Sequence, residues 1–224
     1  MGLFGGVVGA ARTVWGFPAS HVAQVFGSEY LHEGTNIREV RVRPAFGADF
    51  HGIEAVRRSN RQWLGEWEAT LPPGSSEALP TMAGYRKRAE KQMRDGLGLN
   101  FVIEVDGDIA GTVSVAGVQH GAMSVGNLGY WIGEAWAGQG VTSLAVAAVI
   151  DTTILTLGLH RLEINVRPEN APSLGLCRKL GLRHEGLKPR YMCINGVWRD
   201  HVGFSVDREM LNRGSLVKTR ILGQ

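Results

Sequence analysis

Cysteine is scarce in this chain, with Cys177 and Cys193 the only two. A small secreted scaffold held by disulfides needs more, so the reducing cytoplasm is the expected compartment. Neither cysteine belongs to a CxxC pair or a Cys/His spacing suited to a metal, so no metal is expected. Long hydrophobic runs are also rare. The one such run, Val141–Leu159, contains Asp151 and five Ser or Thr residues and reads as a buried helix rather than a membrane span. Charge of one sign is barely in excess, since 24 Lys and Arg against 21 Asp and Glu leave a net +3. That describes a mildly basic surface without the basic stripe of a nucleic-acid binder. The first ten residues are apolar and Gly-rich, but the first charge, Arg12, follows them. A secretory signal has the opposite order, and Gly6 breaks the myristoylation pattern after Met1-Gly2.

What is present is enough for one domain of ordinary size with a short extension. Residues 1–36 read as that extension, with either a short amphipathic helix around His21–Tyr30 or partial disorder, between which the sequence does not decide. Ile37–Arg43 alternates I-R-E-V-R-V-R, the pattern of a half-buried strand. Asp49 is placed to cap a helix that runs toward Trp63 and Trp67. After the loop Leu71–Ser76, a charged helix is expected over Leu79–Arg94, stopped by Gly96. Asn100–Val105 and Ile109–Val118 read as strands joined by a turn at Asp106-Gly107-Asp108. Ser124–Gly133 is a further strand, Gly140–Leu157 the apolar helix stopped at Gly158, and Arg161–Val166 an alternating strand. A helix over Pro168–Leu180 ends at Gly181. Two last strands, near Gly186–Ile194 and Trp198–Val206, flank the type I′ turn pair Asn195-Gly196. The fold class is therefore mixed α/β, with antiparallel hairpins ahead of the central helix.

The most informative segment is Tyr130–Thr142, where a strand enters a Gly-punctuated turn and the turn enters a long helix. Such a turn leaves several backbone N–H groups pointing one way, with the positive end of the helix dipole behind them. Gly138 and Gly140 let an anion approach the backbone closely. No Lys-Ser or Lys-Thr follows, and Ser143 stands where a third glycine would complete G-x-G-x-x-G, so neither a Walker loop nor a dinucleotide fingerprint is present.

Further blocks make the reading specific. They are Gly158-Leu159-His160-Arg161-Leu162-Glu163, Val166–Ser173 (V-R-P-E-N-A-P-S), Arg178-Lys179-Leu180-Gly181-Leu182, Glu185-Gly186, and above all Gly196-Val197-Trp198-Arg199-Asp200-His201. Together with the turn they resemble the GNAT acetyltransferase superfamily, and most closely its RimJ/RimL branch, the N-terminal acetyltransferases of ribosomal proteins. The resemblance covers roughly residues 37–210, leaving 211–224 as a tail. It implies a single-domain, mostly antiparallel splayed sheet flanked by helices, with acetyl-CoA as cosubstrate in the V between Leu128–Ile132 and Arg161–Val166. The pyrophosphate would lie on Ala137-Gly138-Gln139-Gly140-Val141-Thr142. Ala137 and Thr142 depart from the superfamily's Arg/Gln-x-x-Gly-x-Gly/Ala motif, so binding there is expected to rest on backbone N–H groups. Leu128, Tyr130, Trp131 and Ile132 would pair their backbone with the pantetheine arm. Asn165, Asn170 and Ser173 would face that arm, although Asn170 is also a good helix N-cap.

Acetyl transfer to an amine requires loss of a proton from the amine, stabilisation of the developing oxyanion, and protonation of the leaving sulfur. By resemblance, a backbone N–H of Leu128–Ile132 supplies the oxyanion donor. For the general base the order is Glu163, Glu68, Asp200, each of which has an ordinary structural reading as an ion-pair partner. For the general acid, Ser173 is favoured. Cys177 stands where the superfamily often has a Tyr, and reads as a weak donor or a buried residue. Arg199-Asp200-His201 also reads as an ion pair that orders the hairpin end. Trp63, Trp67, Trp131 and Trp198 are candidates for an acceptor groove, with core packing as the alternative.

The function implied is direct transfer from acetyl-CoA to a protein N-terminus, such as that of a ribosomal protein, by a cytoplasmic monomer or dimer. An α-amino group is neutral in roughly a tenth of molecules at pH 7, so a mild base is enough. The alternatives are a small-molecule amine acetyltransferase (polyamine, amino sugar or antibiotic) and a CoA-binding regulatory protein impaired in catalysis.

Overall fold

The computed structural model describes residues 12–78 and 80–224. The apolar start of the chain and Leu79, the expected first residue of the charged helix, lie outside the described residues. In chain order the strands are β1 (Thr13–Val14), β2 (Phe17–Pro18), β3 (Gln24–Gly27) and β4 (Glu39–Pro44). Helices α1 (Asp49–Ser59), α2 (Arg61–Leu64) and α3 (Met82–Arg94) follow. Next come β5 (Leu99–Val105), β6 (Asp108–Gln119), β7 (Val125–Ile132), α4 (Val141–Asp151), β8 (Arg161–Val166), α5 (Ala171–Lys179), β9 (Arg183–Ile194) and β10 (Val197–Asp207).

An eight-stranded sheet runs in the order β3-β4-β5-β6-β7-β8-β10-β9. Every neighbouring pair is antiparallel except β7 and β8, which are parallel. The mixed, mostly antiparallel sheet expected from the sequence is therefore the one that forms. The two turn pairs behave as their chemistry requires: Asp106 and Gly107 have φ of 50° and 96°, and Asn195 and Gly196 have 50° and 75°.

Alternation along the strands sorts the sheet into two faces. Leu99, Phe101, Ile103 and Val105 of β5 point into the large core that includes α4. Val102 points the other way, into a smaller cluster with Ala45, Phe50 and Ala89 beneath α1 and α3. Helix α4 is buried on all sides, with Leu144 through Ile150 fully covered, which accounts for its uniformly apolar sequence. It continues past Asp151 as a π-helical segment, Thr152–Thr156.

The N-terminal segment corrects one expectation. No helix spans His21–Tyr30. Gln24–Gly27 is instead strand β3, paired in register with β4 at the sheet edge, and Val14, Val22 and Phe26 are buried in the main core. β-Branched and aromatic residues at alternate positions gain more by covering that edge than from one turn of helix. Asp49 also departs from expectation. It begins α1 without capping it, and its carboxylate instead accepts from the Phe46 N–H at 2.8 Å and from Arg43.

Candidate active site

The sheet opens where β7 and β8 part. Their parallel pairing is limited to Val125–Asn127 against Arg161–Glu163. From Leu128 onward the β7 edge that faces β8 has no strand to pair with, so its peptide groups line a wedge. A cleft of about 500 Å³ fills that wedge. Leu128, Tyr130, Ile164, Val166, Asn170 and Ser173 line it on the α4/α5 face. Ser114, Ala116, Asn127, Asn165, Tyr191 and His201 line it on the opposite face, with Trp67, Met192 and Arg167 at its mouth. The cleft thus joins the two faces of the sheet, room enough for a donor arm from one side and an acceptor from the other.

At the end of β7 the chain enters the glycine turn. Gly138 has φ of 75° and Gly140, the N-cap of α4, has φ of 89°. Among the described residues, the N–H groups of Gly138, Gln139 and Gly140 have no protein acceptor. With the first-turn amides of α4 they form a cradle that fits a phosphate group. Side chains brace this turn from behind. Gln139 donates to the Ala135 carbonyl and accepts from Thr35 Oγ1, each at 2.9 Å. His32 bonds the Gly138 carbonyl, and Lys179 Nζ lies 3.3 Å from His32 Nε2. Trp63 donates to the Ile132 carbonyl at 3.1 Å and Asn60 accepts from the Glu134 N–H at 2.9 Å, which ties the helical corner to the strand end.

On the α5 wall, Asn170 caps the helix by accepting from the Ser173 N–H at 3.1 Å. Ser173 itself lines the cleft, so its hydroxyl is free of the capping bond. The Tyr130 hydroxyl is buried beside Cys177 and Ser173 and, among the described residues, has no hydrogen-bond partner of good geometry. Burial raises its pKa, so it stays protonated. Cys177 is fully buried, and burial pushes its thiol up to about 12. A thiol held in that form is a packing residue rather than a nucleophile.

The remaining sequence candidates are more dispersed. Glu163 shares the face of Asn165 but lies outside the cleft lining, engaged by Lys188 and Arg161 at 3.1 Å each. Partial burial disfavours its charge, but these two cations outweigh that effect and hold its carboxyl below the usual range. Glu68 pairs with Arg57 at 2.6 Å. Asp200 accepts from the Arg190 N–H at 2.7 Å, where Arg190 takes a left-handed φ of 48° opposite a register shift. An Arg199–Asp200 ion pair does not form, because the carboxylate is drawn into that bulge. Trp67 stacks under Arg167 at 5.2 Å at the cleft mouth, while Trp198 is half exposed on the hairpin. Trp131 is not part of the lining.

Sequence reasoning missed Asn127, Tyr191 and His201. Strand alternation was the available signal: Asp200 and His201 are adjacent on β10, so only one of them can face the cleft. The one that does is His201, which is 4% exposed. Its Nδ1 lies 3.1 Å from the Arg199 carbonyl, and burial lowers its pKa.

Among the described residues no helix is long and apolar enough to cross a membrane, and no cluster of His, Cys, Asp and Glu is placed to hold a metal. A second cleft of about 550 Å³ lies between His21, Gln24 and Lys218. It contains Asp151, whose carboxylate accepts from the Leu216 and Val217 N–H groups at 2.7 and 3.0 Å and so anchors the C-terminal turn.

Residues 39–183 match the acetyltransferase (GNAT) domain family. The chain is 37% identical over 148 residues to the [ribosomal protein uS5]-alanine N-acetyltransferase of Escherichia coli, covering 64% of this chain and 74% of that protein. It is 36% identical over 117 residues to a probable N-acetyltransferase, YjcK, of Bacillus subtilis, a match that spans 52% of this chain and 64% of that one, just under two thirds of its length. Among solved structures, Mycobacterium smegmatis RimJ in complex with CoA-disulfide superposes with a TM-score of 0.74 at 31% identity, covering 83% of this chain and 88% of that one.

Proposed function

Because the chain belongs to the GNAT acetyltransferase family, and is therefore an acetyl-CoA-dependent N-acetyltransferase, we propose that its acceptor is the N-terminal α-amino group of a protein, a ribosomal protein in the cytoplasm being the leading case. The observation that carries this reading is the lining of the cleft. Among the described residues it includes no Asp or Glu, and its ionisable side chains are Tyr130, Arg167, Tyr191 and His201. A polyamine carries several positive charges and needs acidic partners to replace its water. A peptide end carries one ammonium followed by neutral amides, which suits Asn127, Asn165 and an unpaired strand edge. The likeness to the uS5-alanine acetyltransferase supports the same acceptor class.

Acetyl-CoA supplies the activated acyl group. The cradle at Gly138–Gly140 and the first turn of α4 would take its pyrophosphate, and the open β7 edge would take its amide-bearing arm. A β7 N–H facing the wedge is positioned for the carbonyl oxygen as it gains charge. The Ser173 hydroxyl, on the cleft wall, would give the departing sulfur its proton, with the buried Tyr130 hydroxyl behind it. With Cys177 sealed in the core, the acetyl group passes directly to the amine.

The test is a panel of acceptor peptides that varies the first two residues, incubated with acetyl-CoA and mapped by mass spectrometry. Acetylation at the α-amine of short-side-chain N-termini is expected. Modification confined to lysine side chains, or to free polyamines or amino sugars, would overturn the assignment.

A further inference from the structure

Among the described residues lining the cleft, His201 is the only imidazole, the side-chain class able to exchange a proton in neutral water. Its tautomer follows from its contact. Nδ1 lies 3.1 Å from the Arg199 carbonyl oxygen, which only accepts, so Nδ1 carries the proton. Nε2 of the neutral ring then has a free lone pair, and it has no protein partner among the described residues. The ring packs on Tyr191 with centroids 5.5 Å apart. The Tyr191 hydroxyl accepts from Asn165 Nδ2 at 3.1 Å. The other end of that amide, Asn165 Oδ1, has no partner among the described residues and is sealed from solvent, so it belongs to the wall rather than to the space in front of it. His201 Nε2 is therefore the unsatisfied acceptor that this wall offers to the cleft. An alkylammonium group is the natural occupant, because it brings three N–H donors and no acceptor.

We propose that His201 Nε2 accepts a hydrogen bond from the incoming ammonium and takes its proton. One N–H bond breaks and the ring becomes imidazolium. The neutral nitrogen then attacks the thioester carbonyl carbon, forming the C–N bond as the C–S bond breaks. The nitrogen sheds a second proton on becoming an amide and the sulfur gains one, so one proton is released overall, through His201 to water. The groups around the ring are Tyr191 and Lys188 of β9, Asp200 on its own strand, and Arg167 and Glu169 ahead of α5. Burial, helped by the Arg167 cation, outweighs the Arg199 carbonyl and the nearby carboxylates and favours the neutral ring, the form a base requires.

Such a base discriminates between amines. An α-ammonium at about 7.7–8.0 gives up its proton to a histidine far more readily than a lysine at about 10.4, by a factor on the order of several hundred. That preference deepens the proposed acceptor class and rests on it. The base assignment itself holds for any amine that the protein turns over.

The experiment compares wild type with His201→Gln, and with His201→Ala with and without added imidazole. It measures kcat/KM for the acceptor across pH, and CoA binding by calorimetry. At pH 7, His201→Gln is expected to lose about 100-fold or more in kcat/KM. CoA affinity should stay within about twofold, and the acid limb should move up toward the pKa of the amine itself. Imidazole should restore part of the His201→Ala rate, which a merely structural role would not allow. A His201→Gln rate within about threefold of wild type, with the acid limb unmoved, overturns the proposal. Nitrogen-15 histidine spectra of the wild type do not depend on the variants folding, and a proton on Nε2 at pH 7 also overturns it. If the wild type acetylates only a small amine, the acceptor reading fails and the same comparison is run on that amine. If it acetylates none, both readings fail.

Discussion

His32 donates its Nδ1–H to the Gly138 carbonyl at 2.9 Å, and its backbone N–H reaches the Gln139 carbonyl at 3.3 Å. The segment ahead of β4 therefore grips the rear of the anion cradle and turns its amides toward the cleft. Loss of one such hydrogen bond is worth about 1 kcal/mol. His32→Ala should raise the acetyl-CoA KM about fivefold and leave kcat nearly unchanged. His32→Asn, which keeps a donor, should recover part of that loss. Steady-state kinetics varied in acetyl-CoA will show whether the effect falls on KM.

Gly140 is constrained twice. Its φ of 89° is left-handed, and an added Cβ would lie 3.1 Å from His32 Cδ2. Gly138 shares the dihedral, at 75°, but has nothing within 4 Å of an added Cβ. Gly140→Ala should therefore cost more in stability than Gly138→Ala, whose dihedral strain is about 1–3 kcal/mol. Combining Gly140→Ala with His32→Ala should return the part of the excess that comes from the imidazole, while the His32 backbone nitrogen at 3.3 Å stays in the way, so the pair will be non-additive in denaturant titrations. Gln139→Ala removes only the brace and should raise the acetyl-CoA KM far less than Gly140→Pro does.

The sequence announced the strand–turn–helix at 125–151 and the two hairpins with their positive-φ turn pairs, because each depends on local chemistry, whereas Tyr130, Asn165, Asn170 and Ser173 were implied only by the family resemblance. It did not announce what depends on long-range pairing. Gln24–Gly27 becomes a strand only because the edge of β4 is there to receive it. His32 lies about a hundred residues from the turn that it braces. His201 was overlooked in favour of its acidic neighbour because which parity of β10 faces the cleft is set by its pairing with β8, a long-range contact that no local motif encodes.

Asn170 and Ser173 separate structure from function within four residues. The Asn170 side chain accepts the capping bond, whereas Ser173 contributes only its backbone N–H to it. Asn170→Ala should therefore lower stability by about 1 kcal/mol through the lost cap. Ser173→Ala keeps that cap and should leave the melting temperature unchanged. If the Ser173 hydroxyl serves the leaving sulfur, kcat falls while the acceptor KM holds. Equal stability losses in the two variants would assign Ser173 a packing role instead.

Glu163 decides between two accounts of the base. Lys188 and Arg161 hold its carboxyl below the usual range even though partial burial pulls the other way. A carboxylate with a depressed folded-state pKa stabilises the fold above its unfolded pKa of about 4.3, and loses that contribution as pH falls through the folded value. Glu163→Gln should thus cost about 1 kcal/mol at pH 7 and progressively less toward pH 3, so the variant's acid-denaturation profile will be shallower than that of wild type. Because both carboxylate oxygens are engaged by cations and the residue lies outside the cleft lining, kcat should stay within about twofold. A hundredfold fall in kcat at unchanged stability would make Glu163 the base and remove that role from His201.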